Sequence, residues 1–192
     1  MKKLIVIYPG RFQPYGRHHA KAYDYLHQIF PQAEEIIITT SDKTNNTDSP
    51  FNYAEKVKFI TNLTPNAKIS KETNVYIAHN ALRFEELNEI HLIVAVSYKD
   101  LGRLHYTKAD GSPSYFQPYT GTIEHTADKH AYVVILPQFR IDFKGRPISG
   151  TLMRTEISKL PKDPNNPVVY QTFKKLFGWF DKSFYSQIKK KL

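Results

Sequence analysis

Short apolar runs alternate with amphipathic segments along most of this chain, and this alternation constrains its fold more than any other feature. Runs typical of buried strands lie at residues 4–8, 35–40, 75–78, 92–96 and 132–136. Helical patterns lie at residues 18–30, 51–63, 81–90, 151–160, 165–177 and 182–190. The pattern predicts an α/β fold, a doubly wound parallel sheet with helices on both faces and a helical C-terminal extension.

Sheets of this kind bind ligands outside the carboxyl ends of their strands, where the strand order reverses. The loop after the first strand, residues 9–17, is therefore a candidate for that crevice.

We predict one domain over residues 1–160 and an extension, residues 161–192, that packs on it. In the helix at 51–63, Ser49 is the expected N-cap. Residues 98–130 show little periodicity, so either short elements or a substrate-binding flap occupies them.

Composition narrows the function classes. The chain contains no cysteine, which excludes disulfides, thiolate metal sites and a cysteine nucleophile, and fits a cytoplasmic protein. No apolar stretch approaches the roughly 20 residues of a membrane helix, so no membrane partner is expected. Lys and Arg number 27 against 18 Asp and Glu, a net charge of +9 that suits polyanionic ligands such as nucleotides or nucleic acid.

The segment from Gly10 to His19 follows the first predicted strand and opens the first predicted helix. Gly10 lets the backbone approach a bound group. The helix N-terminus offers unpaired N–H groups and the positive end of a dipole, which suit a phosphate. Arg11, Arg17, His18 and His19 add cationic or donor side chains. The segment predicts a phosphate-binding loop; the alternative is a strand-to-helix turn with basic surface residues.

A second segment of this kind, residues 148–154, precedes a later predicted helix. Ser149 or Thr151 can cap that helix and offer a hydroxyl to phosphate oxygens, and Gly150 lies between them. Arg154 falls about one turn into the helix, within reach of an anion at the same end. Either segment alone is commonplace, but together they predict two halves of one phosphate site.

In order and spacing, the two segments resemble the His-x-Gly-His nucleotidyltransferase superfamily. Its early motif is Gly-x-Phe-x-Pro followed by His-x-Gly-His, and its late motif is Ile-Ser-Ser-Thr-x-x-Arg. Gly-Arg-Phe-Gln-Pro at residues 10–14 looks most like nicotinamide mononucleotide adenylyltransferases and phage-type cytidylyltransferase-like proteins. Residues 50–56 resemble the Asn-Pro-Phe-x-x-x-Glu-Arg stretch of archaeal-type adenylyltransferases, with Lys56 where Arg is usual. The resemblance implies a Rossmann-like nucleotidyltransferase fold.

The resemblance also implies a reaction. A phosphate on the acceptor attacks the α-phosphorus of a nucleoside triphosphate, and pyrophosphate leaves, usually with Mg²⁺ and without a covalent nucleophile. It implies transfer of AMP from ATP to a small phosphorylated acceptor such as nicotinamide mononucleotide, a step of NAD biosynthesis; CTP is the alternative donor. His19 would contact the α- and β-phosphates and Arg154 the departing pyrophosphate. The nucleotide-binding residues are then Gly10, Arg11, Phe12, Gly16, His18, Ser149, Gly150 and Thr151.

The early motif departs from its family at residues 16–19. Gly16 stands where the first histidine is expected, and His18 stands where the glycine is expected. Successive helical residues point about 100° apart, so His18 and His19 are not expected to face one phosphate in the same way. Spacing from Gly10 favours His19 as the catalytic histidine. Three interpretations stay open: His18 crowds the nucleotide, it compensates for the missing histidine, or the protein is a non-catalytic nucleotide or RNA binder.

Other polar residues are further candidates. Asp42 and Lys43 follow the second strand and are the predicted acceptor-binding residues. Residues 97–100 follow a buried strand where relatives often carry a Ser–Asp pair, here in a disturbed register. His125 and His130 lack the spacing of metal ligands, so no metal site is predicted.

Trp179 lies among aromatic residues near the C-terminus, and we expect it to pack on the body of the protein. The predicted partners are a nucleoside triphosphate and a small phosphorylated acceptor. Nucleic acid is an alternative partner, and homo-oligomerisation stays open.

Overall fold

The computed structural model of the chain describes residues 2–45 and 48–192 and contains two compact units. The first, here the sheet unit, comprises Met1–Gly10, Ala22–Thr40 and Lys68–Gln138. The second, here the helical unit, comprises Arg11–Lys21, Ser41–Ala67 and Phe139–Leu192. Helix α1 (Arg17–Ile29) has its first residues in the helical unit and the remainder in the sheet unit.

Parallel strands build the sheet unit. They are β1 (Lys3–Pro9), β2 (Glu35–Thr40), β3 (Lys68–Lys71), β4 (Ile90–Ser97), β5 (Phe116–Pro118) and β6 (Ala131–Leu136). Their order across the sheet is β3-β2-β1-β4-β6-β5, and every neighbouring pair is parallel. The chain runs outward from β1 to β3 and then returns to β4 on the other side of β1. The strand order therefore reverses between β1 and β4, as in doubly wound Rossmann-like folds.

The two faces of this sheet are both apolar, as is usual for a parallel sheet. Ile5 and Ile7 point to one side of β1 and Leu4 and Val6 to the other, and all four are buried. Ile5 and Ile7 join a core cluster with alternate residues of β2, β4 and β6 and with connecting segments; its other members include Ile37, Ala78, Leu82, Leu92, Val94, Leu104, Ala127 and Val133. The predicted fold class, a doubly wound α/β fold, is confirmed.

Two element predictions in the sheet unit are wrong. The strand predicted at residues 75–78 is absent, and the edge strand is β3 instead, whose Lys-Ile-Ser-Lys sequence lacks an apolar run because it lies at the margin of the sheet. Residues 75–78 fold as turns that still bury Val75 and Ala78. The hydroxyl of Thr39 donates to the Val75 oxygen and holds this segment against β2.

The helix predicted at residues 81–90 is replaced by a short helix α3 (His79–Leu82) and a 3₁₀ turn (Leu87–Glu89). The buried carboxylate of Glu72 accepts hydrogen bonds from the N–H groups of Asn80 and Ala81 and fixes the start of α3. Ile90 already pairs with β1, so strand pairing prevails over local helical periodicity.

Residues 98–130 contain short elements, as the first of the two interpretations predicts. A 3₁₀ helix (Tyr98–Arg103) follows β4, and β5 pairs with β6 at the sheet edge. An isolated bridge joins Thr107 to Pro113. The hydroxyl of Tyr115 donates to the Ala127 oxygen at 2.8 Å. This hydrogen bond links the middle of the segment to its C-terminal part.

Helices dominate the helical unit. It contains α2 (Tyr53–Leu63), α4 (Gly150–Ser158), α5 (Pro167–Phe177), α6 (Lys182–Lys189) and a hairpin of β7 (Asp142–Phe143) and β8 (Arg146–Pro147). The predicted N-cap of α2, Ser49, is wrong. Asn52 caps the helix in a reciprocal capping box with Glu55, an Asn-x-x-Glu signature that lies three residues further along the chain.

The C-terminal helices pack on α2 through aromatic rings. Phe59 contacts Phe177, Trp179 and Phe184 at centroid distances of 5.1, 6.0 and 4.9 Å. The ammonium of Lys58 pairs with Asp181, the N-cap of α6, at 2.7 Å. Trp179 thus packs within the helical unit, as predicted. Within residues 2–45 and 48–192, no helix has the length and apolar content needed to cross a membrane.

Candidate functional site

The loop after β1 leaves the sheet unit at Gly10, whose N–H donates to the Thr39 oxygen at 3.0 Å. In the helical unit, Phe12 has a φ of 45°, a left-handed conformation that is uncommon for a residue other than glycine. Phe12 and Tyr15 are buried, and their ring centroids lie 5.2 and 5.3 Å from that of His19. The loop therefore encloses one side of His19 with aromatic rings.

The side chain of Gln13 anchors this loop to the segment before α2. Its Nε2 donates to the Phe51 oxygen at 2.8 Å, and its Oε1 accepts from the Phe51 N–H at 2.9 Å. Gln13 and Phe51 are both buried. One amide side chain thus satisfies two buried backbone groups, as a strand partner would, and fixes the loop.

His19 is held at the start of α1 by the backbone of Gly16. The Gly16 N–H donates to Nδ1 of His19 at 3.0 Å, and the Gly16 oxygen accepts from the N–H groups of His19 and Ala20. His19 thus fills the role that Glu or Gln plays in a capping box. Burial lowers the pKa of His19 well below its ordinary value, and the nearby His18 adds to this effect. The ring is neutral at pH 7, and because Nδ1 accepts a hydrogen bond, its proton lies on Nε2.

His18 lies directly against His19. Their ring centroids are 3.8 Å apart at an interplanar angle of 39°. Burial lowers the pKa of His18 to about 4, so the two imidazoles approach each other as neutral rings. The two rings lie together although their residues are successive in the helix, because the His18 side chain turns back toward residues 16 and 19.

The start of α4 is the second half of the predicted site. Ser149 is its N-cap, with Oγ accepting from the Leu152 N–H at 3.1 Å, and Thr151 is exposed in the first turn. The β7–β8 hairpin holds α4 from its other end, because Lys144 and Arg146 pair with the buried carboxylate of Glu156 at 3.0 and 3.1 Å.

Gly150 and Arg154 bring the start of α4 onto the Gln13 backbone. A Cβ on Gly150 would lie 2.7 Å from the Gln13 oxygen, so a larger residue would not fit without a shift. Nη1 of Arg154 donates to that same oxygen at 2.5 Å. The structure therefore brings together the two segments that the sequence predicts as halves of one site.

Arg154 is largely buried, with the charges of Asp48 and Arg11 nearby. Burial lowers the pKa of its guanidinium, the charge of Arg11 acts in the same direction, and Asp48 opposes both. The Asp48 carboxylate lies 3.6 Å from Nη2 of Arg154 and is mostly exposed. Arg11 is itself exposed. Asp48 thus occupies the position of an anion beside Arg154.

Lys56 is a third cation near Arg11. Its ammonium is buried and donates to the Ser41 oxygen at 2.6 Å. Burial lowers its pKa to about 8, an effect that Asp42 opposes and Arg11 reinforces. Lys56 therefore stabilises the turn after β2 and contributes positive charge on the same side as Arg11.

The predicted acceptor residues lie in the turn that Lys56 supports. The carboxylate of Asp42 accepts from the Tyr53 N–H at 2.7 Å at the start of α2, and Lys43 is exposed. The neighbouring cleft has a volume of about 490 Å³ and is lined by Thr44, Asn45, Pro50, Asn52, Lys190 and Lys191. Lys191 pairs with Glu55 at 2.8 Å.

At the carboxyl end of β4, the sheet unit brings together Ser97 and Asp100. The hydroxyl of Ser97 donates to Asp100 at 2.8 Å. The Asp100 carboxylate also accepts from the Tyr76 hydroxyl at 3.4 Å and pairs with Arg103 at 3.3 Å. The pair is thus formed despite its altered register.

His125 and His130 lie with ring centroids 5.1 Å apart in the sheet unit. Among the residues that the structure describes, no group of three or more His, Cys, Asp or Glu is placed to hold a metal ion.

Sequence reasoning missed three contributors. Gln13 belongs to the early motif, but the sequence assigns no role to its amide, whose two hydrogen bonds to Phe51 arise only on folding. Tyr15 and Asp48 carry no local signal, since the contact of Tyr15 with His19 and that of Asp48 with Arg154 arise only on folding.

We compared the chain with known proteins and protein families. No curated protein matches the chain. A family model described as cytidylyltransferase-like matches residues 7–156. That span includes both halves of the site, from the loop after β1 to the first turn of α4. The chain belongs to the cytidylyltransferase-like family of nucleotidyltransferases.

Proposed function

We propose that this protein transfers a nucleoside monophosphate from a nucleoside triphosphate to a small phosphorylated acceptor. One observation carries the proposal: in the helical unit, the loop before α1 and the start of α4 meet at the Gln13 oxygen, where Gly150 and Arg154 contact it. Two helix N-termini and the cations of Arg11 and Lys56 accompany this contact. Such an arrangement suits a polyphosphate.

The reaction needs no covalent intermediate. An oxygen of the acceptor phosphate forms a bond to the α-phosphorus while the bond from that phosphorus to the bridging α,β-oxygen breaks. The electron pair of the broken bond leaves with pyrophosphate. The protein's contribution is to position the two reactants and to stabilise the charge that develops on the phosphate oxygens.

His19 suits the contact with the α- and β-phosphates. Its Nδ1 already accepts from the Gly16 N–H, so Nε2 carries a proton that can be donated to a phosphate oxygen. The rings of Phe12 and Tyr15 restrict the orientation of the imidazole. A fixed donor of this kind favours the transition state because it needs no reorganisation.

Arg154 and Ser149 suit the leaving pyrophosphate. Arg154 uses Nη1 on the Gln13 oxygen and directs Nη2 toward Asp48 and Thr151, at 3.6 and 3.5 Å. An anion that replaces Asp48 can accept a hydrogen bond from Nη2 of Arg154. The Ser149 hydroxyl accepts from the Leu152 N–H and keeps its own hydrogen to donate.

Mg²⁺ fits this site as a companion of the triphosphate. The described residues offer no cluster of three or more acidic or histidine side chains for a metal. Mg²⁺ keeps several waters and often binds through substrate phosphates with few carboxylates. When bound, it would neutralise charge on the phosphate oxygens, with Asp42 as an exposed carboxylate in the same unit.

For the substrates, we propose ATP as donor and nicotinamide mononucleotide as acceptor, which would place the enzyme in NAD biosynthesis. The Gly-Arg-Phe-Gln-Pro motif supports ATP, and CTP is the competing donor. We assign the acceptor to the turn of Asp42 and Lys43 and the adjoining cleft, where Lys190 supplies an exposed ammonium.

A pyrophosphate-release assay tests the proposal. The protein is incubated with Mg²⁺, each of the four triphosphates and a panel of phosphomonoester acceptors, with EDTA as a blank. We expect release with ATP and nicotinamide mononucleotide, and CTP-dependent release would correct the donor. His19→Ala and Arg154→Ala should each reduce turnover at least a hundredfold without unfolding. His27→Ala, an exposed histidine of α1, and Arg140→Ala are the matched controls.

The contradicting result is a lack of pyrophosphate release with every pairing. Salt-sensitive binding of RNA together with that result would identify the protein as a non-catalytic binder.

A further inference from the structure

Position 16 lacks a side chain, and the ring of His18 fills the space next to it. A Cβ built on Gly16 would lie 3.2 Å from Cε1 of His18. It would also lie 2.8 and 2.9 Å from Cε and Sδ of Met153 in α4. The imidazole of residue 18 is therefore turned back over residue 16, where a side chain from position 16 would begin.

Glycine at position 16 makes this conformation accessible. The close atoms belong to the flexible side chain of Met153 and to the His18 ring, so a larger residue at position 16 would displace Met153 and press on the His18 ring. Gly16 also donates its N–H to His19. The same residue thus orients one imidazole through its backbone and admits the other through its missing side chain.

The Nδ1 atom of His18 is buried and has no hydrogen-bond partner within the described part of the chain. Buried polar atoms are nearly always satisfied, and one without a protein partner calls for a ligand or a water. His18 lies in contact with the ring of His19, which the proposed function assigns to the triphosphate. A phosphate group that reaches Nε2 of His19 is therefore close to the His18 ring.

We propose that His18 is a second triphosphate-binding imidazole, turned back over Gly16 so that one phosphate chain contacts both rings. The inference rests on the proposed function and deepens it. In this inference, residues 16–19, with the order Gly-x-His-His, form a phosphate site that contains two histidines. The order of glycine and histidine is exchanged relative to His-x-Gly-His, and the ring still occupies the space beside position 16.

His18 can affect triphosphate binding in two opposite ways, by contacting phosphate or by obstructing the nucleotide. If the ring only obstructed the nucleotide, its removal would improve binding. If it contacts phosphate, its removal weakens binding, and a histidine supplied from position 16 can replace it.

Exchanging the two residues is the test. The variants are His18→Gly, Gly16→His and the double variant, with His27→Gly as a control for loss of a histidine from the same helix. Affinity for ATP and for CTP, each with Mg²⁺, is measured by calorimetry, and kcat and KM by pyrophosphate release. His18→Gly should weaken triphosphate binding about tenfold, the size expected for one lost hydrogen bond to a charged group. The double variant should recover to within about threefold of the wild type.

Gly16→His alone should bind poorly, because its side chain and the His18 ring compete for the same space. Two results overturn the proposal: His18→Gly binds triphosphate as well as or better than the wild type, or the double variant binds no better than His18→Gly. A merely structural role for His18 would not be rescued from position 16.

A second measurement does not depend on how the variants fold. In wild-type protein labelled with ¹⁵N-histidine, addition of Mg²⁺–ATP should shift the ring nitrogens of His18 and His19 together. A shift at His19 with none at His18 overturns the proposal. If the protein binds triphosphate but releases no pyrophosphate, the proposed function fails. The affinities of the His18 variants for triphosphate then decide whether His18 contacts phosphate. If no triphosphate binds, both proposals fail.

Discussion

The guanidinium of Arg154 and the main-chain oxygen of Gln13 are joined by a 2.5 Å hydrogen bond across 141 residues of sequence. The same oxygen lies where a Cβ on residue 150 would approach to 2.7 Å. The early loop and the late helix of the motif pair are therefore fixed against each other by one carbonyl group. The geometry of the proposed phosphate site depends on this contact.

Gly150→Ala tests that dependence. The added methyl group meets a backbone oxygen that cannot rotate away, so the Gln13 loop has to shift from Arg154. We expect a destabilisation of about 1–3 kcal/mol and at least a tenfold loss of kcat/KM. Urea unfolding and pyrophosphate release provide the two readouts. Gly102→Ala is the control, since no atom lies within 4 Å of its Cβ. Full activity in Gly150→Ala would refute the dependence.

Gln13→Glu tests the anchor of the same loop. Glutamate can accept from the Phe51 N–H, but its carboxylate cannot donate to the Phe51 oxygen. We expect a loss of about 1–3 kcal/mol at pH 8, and a smaller loss at pH 5, where a protonated carboxyl can donate again. Denaturant unfolding at the two pH values measures it. Gln171→Glu, on the exposed side of α5, is the control. An equal loss at both pH values would contradict the donor role of Gln13.

The motif-bearing segments were predictable because their signals are local. The apolar runs of β1, β2, β4 and β6 lie within a residue or two of their predicted bounds, and the hydroxyl–glycine start of α4 is correct. A buried parallel strand needs a continuous apolar run, and a helix needs a cap, so the residues themselves carry the information.

The missed Asn52 cap had a local signal, whereas the other failures share one cause, which is dependence on a distant partner. β3 is polar because it is an edge strand, and only pairing with β2 makes it a strand. Ile90 belongs to β4 because β1 pairs with it. In the site, the contact of Asp48 with Arg154 and the turn of His18 over Gly16 depend on tertiary positions that spacing along the sequence does not encode.

Asp48 is expected to compete with triphosphate for Arg154. Its exposed carboxylate lies 3.6 Å from Nη2, so Asp48→Asn removes a charge that an incoming phosphate has to displace. We expect a two- to fivefold gain in triphosphate affinity at low salt, consistent with the modest energy of an exposed ion pair, and a smaller gain at 0.5 M salt. Calorimetry measures both values. Asp24→Asn, an exposed carboxylate on α1, should change neither. Weaker binding would show that Asp48 assists the ligand instead.

Lys190 is expected to serve the acceptor and not the triphosphate. It lines the cleft next to the turn of Asp42 and Lys43, and it lies at the end of α6. Lys190→Ala should raise KM for the acceptor about three- to tenfold and leave KM for the triphosphate and kcat close to wild type. Lys129→Ala, exposed in the sheet unit, is the control. An equal rise in both KM values would remove the cleft from the acceptor site.

The histidine pair should make stability fall as the pH is lowered. Burial holds the pKa of His18 at about 4 in the folded protein, against an ordinary value of 6.5, so the unfolded chain binds more protons between these values. Stability from the neutral ring is full above pH 6.5 and is lost as the pH falls toward 4. For His18 alone, the free energy of unfolding should drop by about 2 kcal/mol between pH 7 and pH 5.

His19, whose pKa burial also lowers, adds to the same slope. Urea titrations at half-unit pH intervals measure that slope. His18→Gln should flatten it because the variant has no imidazole to protonate at this position. His27→Gln should keep the wild-type slope. Triphosphate binding is expected to oppose this slope at His18, because nearby phosphate oxygens stabilise a protonated imidazole, whereas His19 keeps Nδ1 as the acceptor of the Gly16 N–H. Calorimetry at pH 6 in buffers of different ionisation enthalpy should therefore detect proton uptake on binding, and its absence would place the phosphates away from His18.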